Sequence, residues 1–129
     1  MKKNVVIVGA SSGIGEELAK QFDELGYTLA LTARRIDRLE ALNKSLSQNA
    51  LVCEMDISDT KKSREQLGDI VTEMGSVEAI CLVAGTGHLN PELKWELEED
   101  TISVNITGFT ALANMAIELF EEQGFGHLV

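Results

Sequence analysis

The segment Val5-Val6-Ile7-Val8-Gly9-Ala10-Ser11-Ser12-Gly13-Ile14-Gly15 runs from an apolar, β-branched tetrapeptide straight into a turn with three glycines. A continuous apolar run, as opposed to an alternating one, is how a strand buried on both faces of a parallel sheet reads. Beyond the turn, Ile14, Leu18, Ala19, Phe22 and Leu25 recur at three and four, and Gly26 supplies a left-handed stop, so a helix is predicted from Ile14 to Leu25. Strand, glycine turn and helix are therefore contiguous. In that setting glycines permit a tight turn and close backbone approach, and the free N–H groups at the positive end of the helix suit a pyrophosphate. Ser11 and Ser12 add hydroxyl donors.

The same alternation repeats downstream. Thr28 to Thr32 reads as a second strand, and Ile36, Leu39, Leu42 and Leu46 as the stripe of a second helix. Ala50 to Met55 is a third strand, Ser58 a helix N-cap, and Leu67, Ile70, Val71 and Met74 a helical stripe closed by Gly75. Ala79 to Val83 is a fourth strand. After a loop with Gly85, Gly87 and Pro91, a long helix is predicted from about Leu97 to Gln123, with Gly124 behind it. Its apolar residues, among them Ile102, Ile106, Phe109, Leu112, Ala116 and Phe120, exceed what one packing face needs. Gly126-His127-Leu128-Val129 opens a fifth strand. Strands alternating with helices require right-handed crossovers and a parallel sheet. The expected fold is α/β: a doubly wound, three-layer sheet of Rossmann type, one domain over residues 1–129, apparently truncated at the fifth strand.

Composition narrows the function classes. A formal charge of −10 over 129 residues argues against nucleic-acid and anionic-membrane partners, which reward clustered Lys and Arg. Met1-Lys2-Lys3 precedes only four strongly apolar residues, too few for a signal peptide, and a cytoplasmic location is expected. Cys53 and Cys81 sit in apolar runs and read as buried thiols on strands separated by two others, beyond disulfide reach. No metal site is expected. The acidic run Glu96, Glu98, Glu99, Asp100 reads as a solvated first helical turn without function.

The glycine spacing is Gly-x3-Gly-x-Gly, and here the chain resembles the short-chain dehydrogenase/reductase family. The resemblance extends to Arg34 and Arg35 after strand two, Asp56-Ile57 after strand three, Ala84-Gly85 after strand four, and Asn105 within Val104-Asn105-Ile106-Thr107-Gly108. It implies a nicotinamide dinucleotide held by Gly9, Ser11, Ser12, Gly13, Ile14 and Gly15, with Asp56 reaching the adenine amino group and Ile57 packing on the ring. Val83, Ala84 and Gly85 would back the nicotinamide-side ribose. Members that prefer NAD place an acidic residue at the end of strand two, where this chain has Ala33 followed by Arg34 and Arg35. Guanidinium groups can pair with the 2′-phosphate of NADP(H), and both arginines otherwise have no charge to meet. NADP(H) is the expected cofactor. One departure is that the two asparagines usual before Ala-Gly are Leu82 and Val83.

The catalytic set that the resemblance implies is a Tyr general acid/base, a Lys four residues later, a carbonyl-orienting Ser and an Asn. Only the Asn position is present, as Asn105, and an amide in a helix can equally be a local brace of the backbone. The sole tyrosine, Tyr27, has Leu31 four residues on and does not match the motif. His88 is expected to face solvent from its loop, and His127 to be structural. The expected function is the cofactor-binding portion of an NADP(H)-dependent oxidoreductase acting on a small carbonyl or alcohol, the 129 residues alone being inactive. The competing reading is a non-catalytic dinucleotide-binding or sensor module. Association or partial disorder of the isolated chain is expected from the open strand-four side of the sheet and the surplus apolar surface of the long helix.

Overall fold

A computed structural model describes residues 3–129. The elements follow the expected alternation: β1 (Asn4–Val8), α1 (Gly13–Glu24), β2 (Thr28–Ala33), α2 (Ile36–Ser45), β3 (Leu51–Glu54), α3 (Thr60–Met74) and β4 (Ala79–Leu82). They continue with α4 (Trp95–Ile102), a π-helical turn over Ser103–Gly108, α5 (Phe109–Gln123) and β5 (His127–Leu128). Strand ends differ from the sequence reading by a residue, and the long helix begins at Trp95 instead of Leu97. All five strands are parallel, in the order β3-β2-β1-β4-β5. The order reverses beside β1, because the chain winds outward through β2 and β3 and then crosses back to β4. Such a switch point opens a crevice at the carboxyl ends of the strands.

Burial explains why β1 reads as an unbroken apolar run. Val5 and Ile7 face a core layer with Leu29, Leu31 and Cys81, covered by Ala19 of α1 and by Leu39 and Leu42 of α2. Val6 and Val8 face the opposite layer with Ala30 and Ile80, covered by Leu67 and Ile70 of α3 and by Leu112 and Ala116 of α5. The result is a three-layer α/β/α sandwich. Cys53 on β3 and Cys81 on β4 are free thiols with β2 and β1 between them.

A buried carboxylate secures the crossover between α2 and β3. Asp23, near the end of α1, accepts from the Ser47 amide at 2.8 Å, the Ser47 hydroxyl at 2.9 Å and the Gln48 amide at 3.3 Å. The Ser47 amide, opposed by burial and helped by the Ser47 hydroxyl and Gln48 amide, holds this carboxyl below the usual carboxylate range.

Two local expectations are corrected. The N-cap of α3 is Asp59, whose carboxylate accepts from the Lys62 amide at 3.2 Å; the Ser58 hydroxyl turns instead to Asp56 Oδ1 at 2.7 Å. Asp56 is the nearer carboxylate acceptor, and Asp59 is correctly spaced to meet a free amide in the first turn. The long helix is not uniform either, since Ser103–Gly108 loosens into a π turn. Gly108 is buried there because an added Cβ would collide with the Ile57 carbonyl oxygen, so helix and β3 loop pack backbone to backbone.

Trp95–Gln123 forms 29 continuous helical residues, long and apolar enough to cross a membrane by length and composition. In this fold Val104, Leu112 and Ala116 are buried in the core, while Ile102, Ile106, Phe109 and Ile117 are 41–60% exposed.

Candidate functional site

At the carboxyl edge the strand ends are stitched together by backbone hydrogen bonds. The amides of Gly9 and Ala10 donate to the Thr32 carbonyl at 2.8 and 3.0 Å, Met55 to Ala33 at 2.9 Å, and Val83 to Val8 at 3.0 Å. Above this edge lies a cleft of about 370 Å³. Gly9, Ser11 and Ser12, which follow β1, line it between Arg34 and Arg35, which follow β2, and Val83, Ala84 and Gly85, which follow β4.

The glycine turn is shaped by contacts that leave no room for a side chain. Gly9 has φ +96°, and a Cβ there would lie 2.5 Å from the Ala84 nitrogen, so β1 and β4 leave the sheet in near contact. At Gly15 a Cβ would overlap the Gly9 carbonyl oxygen, which brings the first turn of α1 down onto the end of β1. Ser12 is the N-cap but makes no side-chain cap bond. Among the described residues the amides of Gly13, Ile14 and Gly15 meet no carbonyl, and the first amide of α1 to find one is Glu16, donating to Ser12 at 3.4 Å. A row of unsatisfied N–H groups at a helix start is an anion-binding arrangement.

Beyond β2 the expectation that both arginines lack a charge partner is overturned for Arg34. Its Nε lies 3.3 Å from Asp56 Oδ1, and a terminal nitrogen lies 3.8 Å from Asp100 Oδ1. Sequence reasoning missed this because Asp100 reaches Arg34 only through the placement of α4 over the sheet edge. His88 faces solvent as expected, and Glu96, Glu98 and Glu99 are exposed, but Asp100 is only partly so and is paired: His88 Nε2 lies 2.7 Å from Asp100 Oδ2. Asp56 Oδ1 also receives the Ser58 amide at 3.0 Å and the Ser58 hydroxyl at 2.7 Å. Burial pushes the Asp56 carboxyl up, but the two Ser58 donors and the Arg34 guanidinium outweigh it and hold the group below the usual carboxylate range.

Asn105 sits in the π turn with both ends of its amide engaged. Oδ1 accepts from the Thr86 amide at 2.9 Å and Nδ2 donates to the Thr86 carbonyl at 2.8 Å. This clamp ties the loop after β4 to the long helix, and it leaves one acceptor lone pair and one N–H for another group. π turns inside α-helices are frequent at functional sites, because the extra residue re-aims side chains.

The structure brings Gly9, Ser11, Ser12, Arg34, Arg35, Ile57, Val83, Ala84 and Gly85 to the cleft wall. Gly13, Ile14 and Gly15 do not line it: Gly15 packs on the Gly9 backbone, a Cβ at Gly13 would meet nothing within 4 Å, and Ile14 is exposed; Asp56 stands beside Arg34, and Asn105 reaches the wall through Thr86. Not foreseen as lining residues were Val8, Thr32, Met55, Thr86 and Val104. Thr32 and Met55 sit at or just past strand ends, a position signal that was available. Val104 had only its place beside Asn105. Thr32 Oγ1 is buried without a hydrogen-bond partner among the described residues.

Comparison with known proteins agrees with this geometry. The family model for short chain dehydrogenases matches residues 3–129, and the chain belongs to that family of oxidoreductases. An uncharacterized oxidoreductase of Mycobacterium tuberculosis is 32% identical over 99% of this chain and 53% of its own length. An NADP-dependent 3-hydroxy acid dehydrogenase of Salmonella typhi is 27% identical over 97% of this chain and 52% of its own. Among solved structures, an alcohol dehydrogenase from the archaeon Thermococcus sibiricus complexed with 5-hydroxy-NADP is 30% identical with a TM-score of 0.87, covering 99% of this chain and 57% of that one. ElxO with NADP bound is 27% identical with a TM-score of 0.86. The chain spans about half the length of the curated relatives it matches.

Proposed function

We propose that this chain binds NADP(H) in the cleft above β1 to β4, as the cofactor-binding part of an oxidoreductase acting on a small carbonyl or alcohol. The observation that carries this reading is one cleft lined both by the glycine turn, with its unsatisfied amides, and by Arg34 and Arg35. The residues present fit such a group: Gly9 and Gly15 keep the turn low, and Asp56 has a second carboxylate oxygen without a protein donor among the described residues. Gly9, Ser11, Ser12, Gly13, Ile14 and Gly15 would hold the pyrophosphate, and Asp56 and Ile57 the adenine. Val83, Ala84 and Gly85 would support the nicotinamide side. When bound, the nicotinamide supplies or accepts the hydride; the chain's own part is to orient it and, through Asn105, to fix the loop beside it. The Salmonella relative and the two structures whose names carry NADP support the choice of cofactor.

The test is calorimetric titration with both cofactors. NADP(H) is expected to bind more tightly than NAD(H), and Arg34→Ala to weaken NADP(H) by about 1.5–3 kcal/mol, the scale of hydrogen bonds to a charged group, with NAD(H) nearly unchanged. Equal losses for the two cofactors would show that Arg34 does not read the 2′-phosphate.

Self-association belongs to the same reading. Ile102, Ile106, Phe109 and Ile117 recur at helical spacing and are exposed, a surface that invites a second copy. Light scattering across a dilution series should show a mass that rises with concentration. A monomer throughout would rule the helix surface out as an association face.

A further inference from the structure

Arg34 already holds two carboxylates, and they come from different parts of the fold. Asp56 lies just beyond β3 and is steadied by both donors of Ser58. Asp100 comes from α4, with one oxygen 3.8 Å from the Arg34 guanidinium and the other 2.7 Å from His88 Nε2. His88 in turn belongs to the loop that follows β4. A chain of four side chains therefore joins the arginine side of the cleft to that loop.

Resting on the NADP(H) reading above, we propose that Asp100 is a built-in competitor of the cofactor's 2′-phosphate for Arg34, and that it sets, through Arg34, how strongly the site prefers NADP(H) over NAD(H). It is a positioning residue for cofactor choice. A guanidinium presents its donors in a planar fork, and a phosphate takes two of them in parallel. The Asp100 contact, at 3.8 Å, is longer than a hydrogen bond and holds none of the five Arg34 donors, so what a phosphate must outbid there is the attraction between the two charges. The side chains of Arg34 and Asp100 are 45% and 36% exposed, and an ion pair so screened is weak, whereas phosphate bonds to arginine are short and charge-assisted. The exchange therefore runs towards the cofactor.

It runs against a residual opposition. Asp100 stays tethered by His88, so its carboxylate keeps competing with the phosphate for the Arg34 guanidinium, whose positive charge it partly offsets. NAD(H) brings no charge to this spot. Asp100 thus subtracts from the affinity for the phosphorylated cofactor alone, which leaves the preference for NADP(H) smaller than Arg34 by itself would give.

The test uses adenosine 2′,5′-bisphosphate and AMP, which differ only in the 2′-phosphate, titrated calorimetrically into the wild-type chain, Asp100→Asn, Arg34→Ala and the double variant. Asparagine keeps the shape and an acceptor for His88 or Arg34 but removes the charge. Asp100→Asn is expected to tighten the bisphosphate about five- to twentyfold and to change AMP by less than about twofold. The gain should vanish in the Arg34→Ala background, and Asp100→Ser should reproduce it; thermal melts confirm that each variant is folded. No gain in Asp100→Asn or Asp100→Ser, while Arg34→Ala still weakens the bisphosphate, overturns the competition and leaves the NADP(H) reading in place. A gain that persists without Arg34 overturns it as well, because Asp100 would then act by general charge. Equal affinity for both nucleotides in the wild type, with Arg34→Ala silent, removes the NADP(H) reading and this proposal together.

Discussion

The purified 129-residue chain, given NADPH and a panel of aldehydes, ketones and quinones, is expected to show no turnover above background. Among the described residues the ionisable side chains lining the cleft are Arg34 and Arg35, and a guanidinium is not a general acid or base of the kind this chemistry needs. Tyr27 is disqualified by place as well as by sequence context. It precedes β2, packs edge-on against Phe22 with ring centroids 5.1 Å apart, and lies at the opposite end of the sheet from the cleft. Asn105 is bound to the Thr86 backbone and offers no titrating group. General acid/base catalysis is typically worth about 10²–10⁴ in rate, and lost substrate positioning costs further orders, so what remains falls below detection. A chain extended through a Ser and a Tyr-x3-Lys of the family type should recover activity. Turnover by residues 1–129 that disappears in Asn105→Ala would reveal a catalytic group within them that the cleft does not display.

The second large effect is expected at Gly15. Replacing it with Ala places a methyl group onto the Gly9 carbonyl oxygen, within 2.8 Å of the Gly9 carbonyl carbon and 3.0 Å of Ala10 Cα. These are backbone atoms at the end of a central strand, with no flexible side chain to give way. The helix start must lift off the strand, which costs about 2–4 kcal/mol by overpacking, or on the order of 10 °C in melting temperature for a domain of this size. The amides of Gly13 and Ile14 lift with it, so cofactor binding should be lost even in the folded fraction. Gly13→Ala is the control: its φ is +57° but nothing lies within 4 Å, so about 1 kcal/mol of backbone strain is expected. Melts that rank the two variants equally would show that the contact between α1 and β1 is not what requires glycine at position 15.

Most of the architecture was legible from local pattern. The unbroken run Val5 to Val8 declared burial on both faces, and both faces are covered, by Leu39 on one side and Leu67 on the other. Gly26, Gly75 and Gly124 marked where α1, α3 and α5 end, each at positive φ. Strand order followed from alternation and handedness, because right-handed crossovers leave few ways to wind such a chain. The glycine turn was legible for the same reason. Its ligand-facing amides, its tight turn and its helix start are all contiguous in sequence, so spacing alone carries the geometry.

What only the tertiary structure decided lies between residues far apart along the chain. Arg34, Asp56, His88 and Asp100 belong to four separate segments, and charge in a sequence says nothing about which opposite charge it will meet once the strand ends converge. The acidic run of α4 and the histidine of the preceding loop read as surface residues, and His88, Glu96, Glu98 and Glu99 are exposed, but the surface pattern does not show that His88 and Asp100 pair with each other. The π turn at Ser103–Gly108 was equally hidden, since it needs the close approach of Gly108 to Ile57 and the Asn105 clamp on Thr86 to hold it open. Local periodicity thus determined the sheet, its helices and the anion-binding turn. Side-chain partnership across the cleft was settled by packing, because the free energy of a long-range ion pair or clamp depends on distances that exist only after the sheet has formed.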